Sequence, residues 1–183
     1  MAGNFSPKVA IVTGGAQGIG YSVVHRLADD GLDIAVNDIV SKLDKINEVV
    51  EEIRKKGRKA IAIPGDVSKE ADVQAMVEKT VQELGRLDVV STLVTHDTWA
   101  VIHIGCLKMV ANAGVGPGAP FLESERFGVK MSELLLTFLI IQLATVEQID
   151  TVNAINIRGT FLCYKHAALQ MIKQGSGGRL IGS

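Results

Sequence analysis

The sequence predicts an α/β domain, a doubly wound parallel sheet with helices on both faces and incomplete on its C-terminal side. Three observations lead there. Between Lys8 and Leu84 the apolar residues switch back and forth between strand-like runs and helical spacing. The strand candidates are short apolar runs without polar alternation, as expected of strands buried on both faces. Glycines close each helical stretch, where a left-handed residue ends a helix. Three strand–helix units in succession imply right-handed crossovers and a sheet covered on both sides.

KVAIVT (Lys8 to Thr13) reads as the first strand and runs straight into glycines. Ile19, Val23 and Leu27 recur at helical spacing, and Gly31 stands where the helix should stop. LDIAVND gives a second strand; Ile46, Val50 and Ile53 mark a second helix ended by Gly57. KAIAIPGD gives a third strand. Ser68 is the expected cap of a third helix that turns Val73, Val77, Val81 and Leu84 inward and ends at Gly85. The rhythm then breaks. LDVV (Leu87 to Val90) and LKMV (Leu107 to Val110) compete for the fourth strand, and LKMV is favoured because it leads directly into Asn112, Ala113 and Gly114. A long helical segment from Thr145 to Gly175 follows, with Ile155, Leu162 and Ala168 roughly on one apolar side. The final RLIGS reads as a buried parallel strand that has only just begun, and it forms the sheet's edge.

Bulk properties narrow the functional classes. The 183 residues carry 19 basic and 20 acidic side chains, so no basic field for nucleic acid or anionic lipid is expected. Cys106 and Cys163 make neither a disulfide framework nor a metal spacing, and reduced thiols fit a cytoplasmic protein. The start of the chain, MAGNFSPK, has no apolar core of a secretory signal. The apolar run Leu134 to Ile141 is too short to cross a bilayer, which takes about 20 residues. The four histidines, His25, His96, His103 and His166, have no metal-ligating spacing, so no metal is expected.

The strongest chemical signal is TGGAQGIG, Thr13 to Gly20, between the first strand and the first helix. Glycines there permit a tight turn and let a pyrophosphate approach the backbone, with the next helix's free N–H groups holding the anion. An acid, Asp38, follows roughly twenty residues on at the end of the second strand. Its carboxylate can accept both hydroxyls of an adenosine ribose and repels a 2′-phosphate. Together these features make a single Rossmann-type, NAD(P)-binding domain over residues 1–183 the expectation. NAD is favoured over NADP because the glycine loop holds no lysine or arginine and Lys42 is the only base nearby, with a solvated helix start as its ordinary role.

These residues resemble the short-chain dehydrogenase/reductase family, in its classical single-domain branch. The resemblance is carried by Thr13, Gly14, Gly18 and Gly20, by Asp38, by Asp66 and Val67 in GDVS, by Asn112, Ala113 and Gly114, and by Asn156 in NIRGTF. Within the family the texture is nearest the acetoin, diacetyl and butanediol reductases. The resemblance implies hydride transfer between a nicotinamide and a carbonyl or alcohol of a small molecule. It implies a coenzyme site made of Thr13, Gly14, Gln17, Gly18, Ile19, Gly20, Asp38, Ile39, Asp66, Val67, Asn112, Ala113 and Gly114. It also implies Asn156 as the catalytic-site asparagine that holds a proton-relay water. The family further uses a serine to orient the substrate oxygen and a Tyr-x-x-x-Lys pair, whose positive charge brings the phenol from about pKa 10 toward neutrality.

Three departures accompany the resemblance. The chain stops before the family serine and the Tyr-x-x-x-Lys pair; Tyr21 and Tyr164 have His25 and Ala168 four residues on. Atypical insertions fall near Ser91–Met109 and near Glu125–Ala144, the second expected to be a helix capped by Ser132. Translated intervening sequence accounts for all three. The expectation is a chain that binds the dinucleotide without turning over, and whose family-typical homo-oligomer is in doubt. Two other classes fit part of the pattern: a non-enzymatic dinucleotide sensor, and a methyltransferase-like domain in which Asn112–Gly114 and NIRG have no role.

Overall fold

A computed structural model describes residues 8–92 and 145–182. Five parallel strands form one sheet in the order β3-β2-β1-β4-β5. They are β1 (Val9–Thr13), β2 (Asp33–Asp38), β3 (Ala60–Pro64), β4 (Val89–Thr92) and β5 (Arg179–Gly182). The helices are α1 (Gly18–Asp29), α2 (Leu43–Lys55), α3 (Glu70–Leu84), α4 (Val146–Val152) and α5 (Thr160–Gln174). A single 3₁₀ turn, Val40–Lys42, leads into α2, and a π-helical stretch, Asn153–Gly159, joins α4 to α5. This is the Rossmann-type α/β arrangement expected from the sequence.

The double winding follows from the period of two along each strand. Ala10, Val12, Ile34 and Val36 face one side, where Val24, Ala28, Ile46, Val50 and Ile53 of α1 and α2 cover them. Ile11, Ala35, Ile61, Ile63 and Val90 face the other, against Val73, Met76 and Val77 of α3 and Leu162, Ala167 and Met171 of α5. Ile11, Ile34, Ile46 and Ile53 are fully buried, each contributing roughly 1.5–3 kcal/mol relative to exposure. Gly31, Gly57 and Gly85 adopt φ of 90°, 78° and 88°, the left-handed stops that the sequence implies.

Four details differ from the sequence reading. In α1 the buried residues are Gly20, Val24 and Ala28, one step on from Ile19, Val23 and Leu27, because the glycine at position 20 lets the helix press that stripe onto the sheet. The residue before α3 is Lys69, without a side-chain cap; Ser68 instead donates from its N–H and hydroxyl to Asp66 Oδ1, at 3.0 and 2.7 Å. The fourth strand is Val89–Thr92, not LKMV, and residues 107–110 lie outside the described residues. Asp88 explains the choice: its Oδ2 accepts the Val9 N–H at 3.0 Å and its own N–H donates to the Val9 carbonyl at 2.9 Å, locking LDVV beside β1. Finally β5 is parallel and at the edge, as expected, but all four of its residues are exposed rather than buried. The two insertions, including the Ser132 helix, fall outside the described residues apart from Ser91 and Thr92, which complete β4.

No described helix is long and apolar enough to cross a membrane.

Candidate functional site

The C-terminal ends of β1, β2 and β3 converge on the glycine loop. Gly14 and Gly18 have φ of 64° and 56°, so both turn the chain in the left-handed region that L side chains avoid. Gly20 is required for a different reason. A methyl group there would overlap the Gly14 carbonyl oxygen and stand 2.8 Å from its carbon, so the first turn of α1 rests directly on the loop. The loop is tied to β2 by the Gly15 N–H, which donates to the Asn37 carbonyl at 2.9 Å. Asn37 Nδ2 in turn donates to the carbonyls of Ile63 and Gly65, at 2.9 and 3.2 Å, which fixes the end of β3. Gln17 precedes α1 in extended conformation and makes no side-chain cap to it, and the first turn contains no acid. Thr13 is buried beneath this loop at the end of β1.

Asp38 closes β2 and is 6% exposed. Its Oδ2 accepts the Ala16 N–H at 3.3 Å and its Oδ1 accepts the Ile39 N–H at 2.9 Å, so the carboxylate bridges the glycine loop and the start of the next segment. Lys42 Nζ lies 3.8 Å from Oδ1, and its side chain is only 10% exposed, not the solvated helix start expected. A second base that the sequence reading passed over also reaches the loop: Lys45 Nζ donates to Gln17 Oε1 at 3.5 Å. Ile19 and Ile39 are both substantially exposed along this rim. An exposed apolar rim beside exposed backbone amides suits the flat faces of a nucleotide.

Asp66 and Val67 follow β3. The Asp66 N–H donates to Asp72 Oδ2 at 2.9 Å, pinning this loop to α3. Val67 is buried under Gly159, where a methyl group would come within 3.0 Å of Val67 Cγ2. The glycine of NIRG therefore lets the long helix cross the β3–α3 loop, a role invisible in the sequence. Two positions before the crossing region, the π-helical stretch carries Asn156. Its Oδ1 is buried and has no hydrogen-bond partner. A buried amide oxygen left without a donor is rare and calls for a water or ligand. The π-helix itself widens the backbone spiral where such sites commonly lie. Helix α4 is anchored just upstream by a capping box in which Thr145 and Gln148 bond each other's backbone N–H. Asn112, Ala113 and Gly114 lie outside the described residues.

Neither tyrosine is placed for acid–base chemistry. The Tyr21 hydroxyl donates to Glu52 Oε2 at 2.9 Å, and that bond raises its pKa above the ordinary 10.0. Tyr164 pairs with Thr92, hydroxyl to hydroxyl, at 3.4 Å. His25 and His166 stand against Glu52 and Glu70, at 2.9 and 3.0 Å, in ion-pair positions between helices. Burial pushes the Cys163 thiol up to about 12, which makes it a packing residue.

A family model for the short chain dehydrogenases matches residues 8–131. The chain belongs to the short-chain dehydrogenase family. It is similar to the short-chain dehydrogenase/reductase eriH of Hericium erinaceus, with 44% identity over 95% of this chain and 54% of that protein. It is also similar to a diacetyl reductase [(S)-acetoin forming] of Staphylococcus epidermidis, 32% identical over 96% of this chain and 52% of the relative. Among solved structures, a short-chain type dehydrogenase/reductase from Mycobacterium marinum superposes with a TM-score of 0.68 at 26% identity, covering 96% of this chain and 54% of the other. The chain thus spans about half the length of the relatives it matches. Membership displaces the methyltransferase-like alternative and implies a nicotinamide dinucleotide as coenzyme. The loop geometry fits that group, because Gly14, Gly18 and Gly20 bring backbone to the surface at the place where a Cβ would fill the cradle.

Proposed function

We propose that this chain forms the coenzyme-binding half of a short-chain oxidoreductase acting on a small carbonyl or alcohol, with NAD as the preferred coenzyme. The observation that carries this reading is the close seating of Gly20 on the Gly14 carbonyl beside the buried Asp38 carboxylate. In this reading the turn from Gly14 to Gly18 and the first N–H groups of α1 receive the pyrophosphate, where the helix end favours an anion. Gln17 and Ile19 border it, and Thr13 supports it from below. Asp38 accepts the hydroxyls of the adenosine ribose, while Ile39, Asp66 and Val67 flank the adenine. Asn112, Ala113 and Gly114 are assigned to the same coenzyme. Bound there, the nicotinamide gives or takes a hydride at a carbon bearing oxygen.

Asn156 is assigned to the proton path. Its unpartnered Oδ1 accepts from a water and holds that water against the helix. The remaining acid–base step needs a phenol lowered toward neutrality by an adjacent cation. These 183 residues contain no Tyr-x-x-x-Lys, and Tyr21 is shifted the wrong way by Glu52. A polypeptide of these residues is therefore proposed to bind the coenzyme without catalysing turnover, as a dinucleotide-binding unit rather than a working enzyme.

Titration of the purified 183-residue chain with NADH, followed by calorimetry and nicotinamide fluorescence, tests both parts. Saturable binding is expected, with no steady-state oxidation of NADH in the presence of diacetyl or acetoin. Absence of binding by monodisperse protein would remove the coenzyme assignment; sustained turnover would remove the assignment of inactivity.

A further inference from the structure

Lysine is seldom buried unless it is paired, and Lys42 is nine-tenths buried. It sits in the 3₁₀ turn that links β2 to α2, with its backbone N–H donating to the Ile39 carbonyl at 2.9 Å. The turn fixes its Cα one step beyond the ribose-facing carboxylate, and its long side chain folds back rather than out. Its ammonium stops 3.8 Å from Asp38 Oδ1. That is a charge contact, longer than a hydrogen bond, so the donors of the ammonium are not consumed by Asp38. The Asp38 oxygens meanwhile already accept two backbone N–H groups. The corner is therefore not the bare carboxylate that excludes a 2′-phosphate. It is a compensated pair with unused donors, and Lys45 brings a second cation to the glycine loop on Gln17.

We propose that Lys42 sets coenzyme discrimination at this corner, offsetting the charge of Asp38 so that an adenosine ribose bearing a 2′-phosphate is admitted alongside one with a free hydroxyl. This rests on the dinucleotide reading above and refines it. An NAD-bound ribose uses Asp38, with Lys42 holding the carboxylate in place. A 2′-phosphate uses Lys42, whose ammonium moves from the carboxylate to the phosphate, with Lys45 lowering the cost of bringing further negative charge to the rim. Without Lys42, Asp38 stands uncompensated and the phosphate is repelled.

The test is binding, measured on the whole chain with NADH and NADPH by fluorescence, and with AMP and adenosine 2′,5′-bisphosphate by calorimetry. For the unaltered chain the NADH and NADPH constants are expected within about tenfold of each other, the weight of one charge-assisted hydrogen bond. Lys42→Met keeps the buried stem and removes the charge. It should weaken NADPH and the bisphosphate about tenfold or more and change NADH and AMP less than about threefold. Lys42→Arg should keep the original ratio. If the methionine variant does not fold, Lys42→Gln supplies the same comparison. The salt dependence of the unaltered chain gives a reading without any variant, since NADPH should lose more affinity than NADH as salt rises.

An unchanged NADPH-to-NADH ratio on removal of the charge, or equal loss of both, would overturn the proposal and leave Lys42 as packing. So would exclusion of NADPH by more than about a hundredfold in the unaltered chain. In either case NADH binding survives. Failure of both coenzymes to bind folded protein would instead bring down the dinucleotide reading, and this refinement with it.

Discussion

Gly20 shows how one missing methyl group shapes the coenzyme corner. In an isolated helix, alanine would be favoured over glycine by about 1 kcal/mol. Here the added carbon overlaps the Gly14 carbonyl, and both sides of that contact are backbone with no rotamer to yield. Gly20→Ala should therefore lower stability by about 3 kcal/mol, the scale of severe overpacking, and weaken nucleotide binding together with it. Gly57 is the contrast, since a Cβ there meets nothing within 4 Å and only its φ of 78° opposes the change. Gly57→Ala should cost about 1 kcal/mol and leave nucleotide affinity untouched. Thermal melts and NADH titrations of the two variants check the pair. The need for glycines between β1 and α1 was legible because the loop is local in sequence. The contributions of Lys45 and Gly159 were not, because each meets its partner, Gln17 or Val67, only after the chain has crossed the sheet.

At the scale of elements, α5 is tied to α3 through a single carboxylate. Glu70, in the first turn of α3, accepts from Lys165 Nζ at 2.8 Å and stands 3.0 Å from His166 Nε2. The two cations hold its carboxyl below the ordinary value of 4.5, with the Lys165 hydrogen bond the larger cause. A depressed folded-state pKa stabilises the fold fully above the unfolded value. That contribution fades as pH drops from about 4.5 through the lower folded value. The Tm difference between the parent and Glu70→Gln should thus be present at neutral pH and shrink to nothing in acid. A difference that persisted unchanged at low pH would deny the carboxylate this role. The strand and helix boundaries were mostly readable because buried parallel strands and left-handed glycine stops leave plain marks. The fourth strand was misjudged by weighing delivery of Asn112 to the site above the local lock between Asp88 and Val9. The phase of α1 slipped because the smallest residue, not the largest, faces the sheet.

For the whole molecule, the asymmetry between the two ends of the sheet has consequences for behaviour in solution. The β3 side is wrapped by α2 and α3, whereas β5 pairs only with β4 and is exposed at every residue. Leu180 and Ile181 lie open on that edge, and Ile157, Phe161, Leu169 and Ile172 are exposed along the π-helical stretch and α5. A strand edge offers unpaired N–H and C=O groups to any other chain, and a neighbouring apolar surface adds the driving force for such contact. Burying these side chains in a second copy would gain roughly 25 cal/mol for each Å² removed from water, while the isolated chain gains nothing from them. The chain should accordingly self-associate as its concentration rises, giving light scattering and an average mass that climb with dilution series read upward. Phe161→Ser with Ile157→Lys should suppress that association. Because both side chains are already exposed, the pair should cost no more than about 0.5 kcal/mol each in stability. The same substitutions should leave NADH affinity within about threefold of the parent, since the glycine loop and Asp38 lie on other elements. A parent chain that stays monomeric at high concentration would show that the exposed edge and helix face are covered by other parts of the same polypeptide.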